Sequence, residues 1–370
     1  MSKTTLKRSC VVLLALALIL AVSGLAQAKS LFLIANINAN PSPVDAYNIN
    51  PDGTVTFQKQ SGVPALAGGA VGIAMDTPTN TLFITYEVSN TIQLVDAKTM
   101  TVLSSTTAPG ASNLAGIIMD EKKKLLYTVD RTTNKLYAYT WNAVSKTLTL
   151  VAGAPFALAN LGGSGAFGIG LDPVKGYLYV ANLTNTIPYY STTGWGYKGA
   201  VTITGVAINC AVDSVRGYLY AGGAAYPGGS VPTPNDYLEQ VNLTTGAKNR
   251  VLIVTGAGVR GVSVDNATGM VYITTGNYNE TVHDLRVYTS ALALKQNAGS
   301  PAGASGQTGL VVPYSEGGYN PLSFAKTDSP DPVTPGANLT YTLKFDNLKN
   351  TQPVTNVVLT DTLPTDTTFV

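Results

Sequence analysis

One short spacing recurs five times in this 370-residue chain: an Asp followed seven residues later by Phe or Tyr. Successive copies begin 44, 52, 41 and 52 residues apart. Constant spacing inside each copy and variable spacing between copies indicate a repeated structural unit joined by loops of different length. The five pairs are Asp76/Phe83, Asp120/Tyr127, Asp172/Tyr179, Asp213/Tyr220 and Asp265/Tyr272.

Each unit reads as a short apolar run ending in the Asp, a turn, and a second β-rich run that contains the aromatic residue. In four copies the turn ends in a residue that tolerates positive φ, namely Asn80, Gly176, Gly217 or Gly269. Lys124 takes that place in the remaining copy, where we expect strain or a wider turn. The Asp itself is expected to accept hydrogen bonds from amides of its own turn, in preference to a metal or catalytic role.

Further short strand patterns follow in most units, giving about four strands per unit of roughly 40–50 residues, which is typical of a β-propeller blade. The first unit, from residue 31, lacks an inner strand, and an orphan strand pattern, "TGLVVPY", occupies 308–314. We therefore predict an all-β fold: a six-bladed β-propeller over residues 29–322, closed by pairing of its N- and C-terminal strands. Seven blades is the alternative if the insertion at 222–237 contains extra strands.

Two segments, "LYVANLTNTI" and "LFITYEVSNTIQLVDAKT", resemble the YVTN repeat of the seven-bladed-propeller superfamily. "VDAYNINPDGTVTFQ" and "LYAYTWNAVSKTLTLVAGAPF" are similar to blade ends of YVTN and lactonase-type propellers. The resemblance covers about residues 31–320 and implies the fold more than an activity, because propellers host many unrelated functions.

Residues 1–28 have the pattern of a signal peptide: a basic start at Lys3, Lys7 and Arg8, an apolar core, and "AQA" at 26–28. We expect cleavage before Lys29 and an extracellular or cell-surface protein, with the periplasm as the alternative compartment. A retained N-terminal anchor is the other interpretation. Cleavage changes the formal net charge from +2 to −1 and leaves no basic field to attract nucleic acid or anionic lipid.

Residues 323–370 form a separate predicted domain, a partial Ig-like β-sandwich. "KTDSPDPVTPGANLTYTLKFDN" and "TNVVLTDTLP" resemble a repeat of bacterial and archaeal surface proteins known as domain of unknown function eleven. The family pattern continues beyond what this segment contains, so we expect either a truncated sequence or an edge completed by another subunit.

Motifs that carry chemistry are scarce. The single histidine, His283, is expected to be a solvated loop residue beside Asp284. Cys210, on a predicted inner strand, is expected to be a small buried apolar residue. "GAGVRG" at 256–261 is interpreted as a loop into an inner strand instead of a dinucleotide loop, because no helix pattern follows it. No metal site and no cofactor are predicted.

If a small molecule binds, the expected place is the mouth of the central channel, which is formed by the loops entering the inner strands and those joining second and third strands. These Gly/Ala-rich entry loops are also explained by tight convergence at the hub. The candidate ligand-binding residues there are Asn36, Glu87, Asp130, Arg131 and Asn182.

The sequence favours a secreted, non-enzymatic recognition, adhesion or scaffold module whose partner is a protein or a cell-envelope polysaccharide. We expect no nucleic-acid partner and no membrane association after cleavage, and the oligomeric state stays open. The alternative is a lactonase- or lyase-type enzyme at the channel mouth, drawing on Glu87, Asp130, Arg131 and His283. An electron-transfer propeller is disfavoured because the chain has no CxxCH haem motif.

Overall fold

The computed structural model describes 29–35, 42–63, 66, 69–162, 165–223, 237–253, 258–276, 284–299, 309–312, 323–329 and 336–346. The chain divides into two compact units, Lys29–Gly318 and a second that combines Met1–Ala28 with Tyr319–Val370. The predicted signal segment, most of the 222–237 insertion, Asn36 and His283 lie outside the described residues. In the described ranges no helix is long and apolar enough to cross a membrane.

Lys29–Gly318 is built from antiparallel sheets that follow the predicted units, and the predicted all-β class with six blades is confirmed. In blades 2, 4, 5 and 6 the strands lie side by side in chain order. Blades 1 to 3 contain β1 (Lys29–Ile34), β2 (Ser42–Ile49), β3 (Val55–Val63); β4 (Ala70–Asp76), β5 (Thr81–Tyr86), β6 (Thr91–Asp96), β7 (Val102–Thr107); and β8 (Leu114–Asp120), β9 (Leu125–Asp130), β10 (Lys135–Asn142), β11 (Thr147–Leu150), β12 (Phe156–Ala157).

The remaining blades continue this order, and one 3-10 turn, Thr77–Thr79, follows β4. Blades 4 to 6 contain β13 (Ile169–Asp172), β14 (Tyr177–Val180), β15 (Thr186–Ser191), β16 (Tyr197–Thr202); β17 (Asn209–Asp213), β18 (Tyr218–Gly222), β19 (Tyr237–Asn242), β20 (Lys248–Leu252); and β21 (Val259–Asp265), β22 (Met270–Thr275), β23 (Leu285–Tyr288), β24 (Leu294–Gly299). Blade 3 has a fifth strand, because β12 pairs with β10 beside β11.

The first blade takes its inner strand from the far end of the unit. β25 (Leu310–Val311) pairs antiparallel with β1, placing Phe32 opposite Val311 and Leu33 opposite Leu310. The Ile34 amide also donates to the Gly309 carbonyl at 3.0 Å. The sheet order is therefore β25-β1-β2-β3, with strands from both ends of the propeller sequence in one sheet.

The hydrophobic core is divided into six clusters, each lying between two neighbouring sheets among the described residues. The recurring aromatic residue of each unit is buried and packs into the cluster shared with the following blade. Phe83 meets Trp141 edge-on at 5.0 Å, and the Tyr272 hydroxyl donates to the Gly53 carbonyl at 3.0 Å. The recurring aromatic residue therefore helps to pack each blade against the next.

Inner strands approach one another closely at glycines. The Gly116 amide donates to the Phe167 carbonyl of blade 4 at 2.7 Å, and the Thr85 hydroxyl of blade 2 donates to the Ala115 carbonyl of blade 3 at the same distance. A Cβ on Gly72 would lie 2.7 Å from the Ala115 oxygen. Backbone at this separation leaves no room for a side chain, which confirms that small residues serve convergence at the hub.

In the second unit the described residues form β26 (Ser323–Ser329) and β27 (Thr340–Asp346), paired antiparallel from Ser323/Asp346 to Ser329/Thr340. Lys326 lies over the Tyr341 ring at 4.1 Å. Two strands are consistent with many β folds, so the Ig-like assignment stays a prediction.

We predict that G116A destabilises the propeller. The new Cβ would lie 2.5 Å from the Phe167 carbonyl oxygen, so inner strands of two blades must separate, at a cost of about 1–3 kcal/mol. The measurement is the urea unfolding midpoint followed by tryptophan fluorescence. Gly196, which has no atom within 4 Å of an added Cβ, supplies the control G196A. Equal midpoints for the two variants would contradict the close-approach account.

Candidate functional site

The inner strands of all six blades surround a central cavity of about 220 Å³. Its partly exposed wall residues include the aliphatic side chains Val71, Ala115, Ile118, Val264 and Val311. At one end lie the loops that enter inner strands and those that join second and third strands. We call this end the channel mouth, and its described polar and aromatic residues are Glu87, Asn113, Arg131, Phe167, Asn209 and Arg260.

Two of the sequence-predicted residues meet at the channel mouth. Arg131 Nη1 lies 3.3 Å from Glu87 Oε1, and Asn113 Nδ2 donates to the same oxygen at 2.8 Å. The Glu87 and Arg131 side chains are 24% and 35% exposed, so the pair is open to solvent and contributes little to stability by itself. Its structural effect is to hold the guanidinium in a fixed orientation beside the cavity.

Arg131 is held from a second side by an aromatic ring. Its guanidinium lies over Phe167 of blade 4, 4.5 Å from the ring centroid, in cation–π geometry. Across the mouth, Arg260 Nε donates to the Gly276 carbonyl at 3.2 Å, and Asn209 Nδ2 donates to the Arg260 carbonyl at 3.1 Å. Together with Glu87 of blade 2, five consecutive blades therefore supply groups to one rim, and two of these groups are guanidinium ions.

Asp130 is buried beneath this rim and does not line the cavity. Its Oδ2 accepts the amides of Ser112 and Asn113, and its Oδ1 accepts the amide of Thr133 at 2.7 Å. Burial opposes ionisation, but the amide donors of Asn113, Thr133 and Ser112 outweigh it and lower the pKa of Asp130. Asp130 therefore fixes the loop that carries Asn113, and its direct contact with a ligand remains a prediction.

Asn182 is also buried and lies off the cavity. Its Nδ2 donates to the Leu161 carbonyl, and its Oδ1 accepts the Thr184 hydroxyl at 2.8 Å. Both ends of the amide are thus used within the loops, and a ligand role again remains a prediction. Asn36, the last candidate, and His283 lie outside the described residues.

Sequence reasoning missed Asn113, Phe167, Asn209 and Arg260 as channel-mouth residues. The available signal was their position in or beside the segments that enter inner strands, where a polar or aromatic residue interrupts Gly and Ala. The segment "GAGVRG" is interpreted as a loop that leads into an inner strand. Its last three residues are the start of the inner strand β21, Val259–Asp265, as that interpretation requires.

The recurring Asp residues are turn caps, as predicted, in four of the five copies. All five are buried. The Asp172 and Asp213 Oδ1 atoms each accept two amides of their own turn, and Asp120 and Asp265 each accept one. Burial raises the pKa of Asp172, against the Lys175 and Val174 amides and the Lys175 charge.

Lys124 adopts φ +53°, which places a non-glycine residue in the left-handed region where we expected strain.

Asp76 differs, because the donor from its own turn is the Thr79 hydroxyl, at 2.6 Å, in place of a backbone amide. It accepts Lys124 Nζ at 2.6 Å and Trp141 Nε1 at 3.0 Å, both from blade 3. Glu121 of blade 3 lies close by and accepts the Thr77 amide at 2.8 Å and the Thr77 hydroxyl at 2.6 Å. Burial raises the pKa of Glu121 to about 7, although the Thr77 donors oppose the shift.

Cys210 is fully buried on β17, as expected, and burial raises the pKa of its thiol to about 12. A thiol with that pKa is a poor nucleophile. In the described part of the chain, no three His, Cys, Asp or Glu side chains are placed to share a metal ion. Among the described residues that line the cavity, Glu87 is the one carboxylate.

The propeller is similar in fold to two solved structures. A chain of a nidogen/laminin complex aligns with TM-score 0.58 at 13% identity, covering 76% of this chain and 98% of that chain. A functionally unknown protein from Desulfotomaculum acetoxidans DSM 771 aligns with TM-score 0.51 at 13% identity, covering 78% and 86%. Identity this low shows the fold alone, and the class defined is a six-bladed β-propeller.

No family model matches the chain, and no curated protein matches it. The resemblances to YVTN repeats and to domain of unknown function eleven are therefore not supported by a family model. They remain resemblances carried by the quoted segments.

We predict that propeller stability falls as pH rises from about 4.5 to 7, and that E121Q flattens this dependence. A carboxyl whose pKa is raised in the folded state favours folding while protonated, so that stability is lost as the pH passes through the folded pKa. The upper limit is about 3 kcal/mol, reduced by solvent screening because Glu121 is only partly buried.

The measurement is the urea midpoint at several pH values for the wild type and E121Q, which keeps the acceptor oxygen for Thr77. Asp45, whose pKa burial raises to about 6, adds a slope in the same direction that remains in E121Q. An unchanged slope in E121Q would show that Glu121 is not the titrating group.

Proposed function

We propose that this chain is an exported, non-enzymatic recognition or scaffold module of the cell surface, whose propeller binds a protein or a cell-envelope polysaccharide. The observation that carries the proposal is architectural: six sheets pack around one hub, with each pair of neighbours sharing a hydrophobic cluster. Such a rigid body presents loops in fixed positions, which suits binding of a large partner.

The fold neighbours support a protein partner in general terms. One of them is known from a nidogen/laminin complex, a complex between proteins. For this chain that likeness favours protein recognition over other propeller functions, without identifying the partner. The polysaccharide alternative rests on the expected surface location.

Export and surface exposure rest on the two ends of the sequence. The signal-peptide pattern of residues 1–28 supports cleavage before Lys29, and the Ig-like resemblance of 323–370 supports a stalk or array of surface repeats. We also propose that the β1–β25 pairing serves as the closure of the ring, which would protect the propeller from opening at the cell surface.

A lactonase- or lyase-type enzyme is the second candidate, and the observation that favours it is the Glu87–Arg131 pair beside an accessible cavity. Glu87 accepts donors from Asn113 and Arg131, which hold its carboxylate at the channel mouth. Hydrolysis of a small lactone that is lost in E87Q would support the enzyme.

We predict that the full-length chain expressed in bacteria is exported and begins at Lys29. The apolar core of residues 10–22 has the composition that secretion machinery recognises, so L16R should block export. The measurement is cell fractionation with intact-protein mass spectrometry, and a cytoplasmic chain retaining residues 1–28 would contradict the proposal.

Recognition is tested on the exported chain in intact cells. Lysine cross-linking followed by mass spectrometry should give reproducible links from propeller lysines to one envelope protein, or co-sedimentation should reveal one envelope polysaccharide. L16R is the matched negative control, since it keeps the propeller sequence but stays inside the cell. Exported protein with neither type of partner would overturn the recognition role.

A further inference from the structure

We propose that the central cavity binds a small aliphatic monocarboxylate, with its chain between the inner strands and its carboxylate at the channel mouth near Arg131 and Arg260. This inference goes beyond recognition of a large partner. It requires no chemical step and rests on the cavity wall and the rim.

The wall favours an apolar ligand. Partly exposed aliphatic side chains, including Val71, Ala115, Ile118 and Val264, face the cavity between its polar rim residues and the buried strands. Apolar cavities hold water poorly and take up apolar guests, since few polar partners are available to a water molecule. Pockets for drug-sized ligands measure about 300–1,000 Å³, so a cavity of about 220 Å³ suits a smaller molecule with a short chain.

The rim favours a carboxylate head. Arg131 and Arg260 carry two positive charges at the mouth, and among the described lining residues only Glu87 carries a negative one. The formal charge of the described lining residues is therefore +1, from two arginines and one glutamate, although the predicted mature chain is slightly acidic. A planar guanidinium presents paired N–H groups that match the two oxygens of a carboxylate.

Arg131 is arranged in advance for such a contact. The Glu87 contact fixes one end of its guanidinium and Phe167 supports one face. A guanidinium carries five N–H donors, so the Glu87 hydrogen bond occupies only part of its donor capacity. Asn113, held by Asp130 through its amide, adds a polar group beside it. A head group that binds here loses little free energy in ordering side chains.

The probe is octanoate, titrated calorimetrically into the full-length mature protein, with butanoate, hexanoate and 1-octanol as comparisons. We expect one saturable site, an affinity gain of about fourfold per added methylene along the acid series, and much weaker binding of octanol. R131Q and R260Q should each weaken octanoate binding about tenfold or more. R250Q removes the same charge from the exposed strand β20 and should bind octanoate as the wild type does.

The proposal is overturned if octanoate shows no saturable binding up to about 1 mM, if octanol binds as well, or if R131Q and R260Q behave like R250Q. Tighter binding of an N-acetylated apolar dipeptide than of octanoate would reassign the site to peptide C-termini and overturn the aliphatic class. If the thermal melt shows that either arginine variant is unfolded, the proposal is tested on the wild-type protein alone, by the chain-length series and the comparison with octanol.

Discussion

Contact between neighbouring blades is the constraint on which the rest of this structure depends. A four-stranded sheet of this size cannot bury both faces by itself, and here each sheet shares one hydrophobic cluster with the blade before it and one with the blade after it. The cluster between blades 6 and 1 joins Tyr272 to Leu31 and Leu310, which are far apart in sequence. Stability is therefore a property of the whole arrangement more than of any blade.

The same constraint shapes the candidate site. Inner strands approach closely because glycines such as Gly116 let one backbone donate to the next, and this leaves a narrow cavity with an aliphatic wall. The polar groups of the channel mouth come from loops whose positions are fixed by buried acceptors, of which Asp130 is the clearest case. A function at the mouth thus depends on residues that never touch a ligand.

The sequence was informative wherever a local rule determined the structure. The Asp-to-aromatic spacing predicted the inner hairpins, and the Gly and Asn turn ends predicted the positive φ angles found at Asn80, Gly176, Gly217 and Gly269. Lys124 shows the limit of such rules, because it takes the same conformation while its ammonium group bonds Asp76 in another blade. Tertiary contact of this kind compensates for local strain and cannot be seen from spacing.

Contacts between blades were the part that sequence could not supply. The sequence signals β15 and β16 of blade 4 poorly, because "TIPYYS" and "YKGAVT" follow no simple alternation of apolar and polar residues, and β12 is only two residues long. The Arg131–Phe167 stack joins residues whose loops meet only after two blades have packed. The predicted ligand set accordingly mixed residues on the cavity, Glu87 and Arg131, with buried loop acceptors such as Asp130.

The most direct test of this account is a cross-link between the two ends of the propeller sequence. Leu33 and Leu310 lie opposite each other on β1 and β25, and the neighbouring Ile34–Gly309 hydrogen bond makes them a closely spaced pair of the kind that accepts a disulfide. In a C210A background, L33C/L310C should form an intramolecular disulfide quantitatively on mild oxidation. The oxidised variant should migrate faster on non-reducing gels, and melt at a higher temperature, than the same variant in its reduced form. Thiols that stay free in the folded protein would contradict the account.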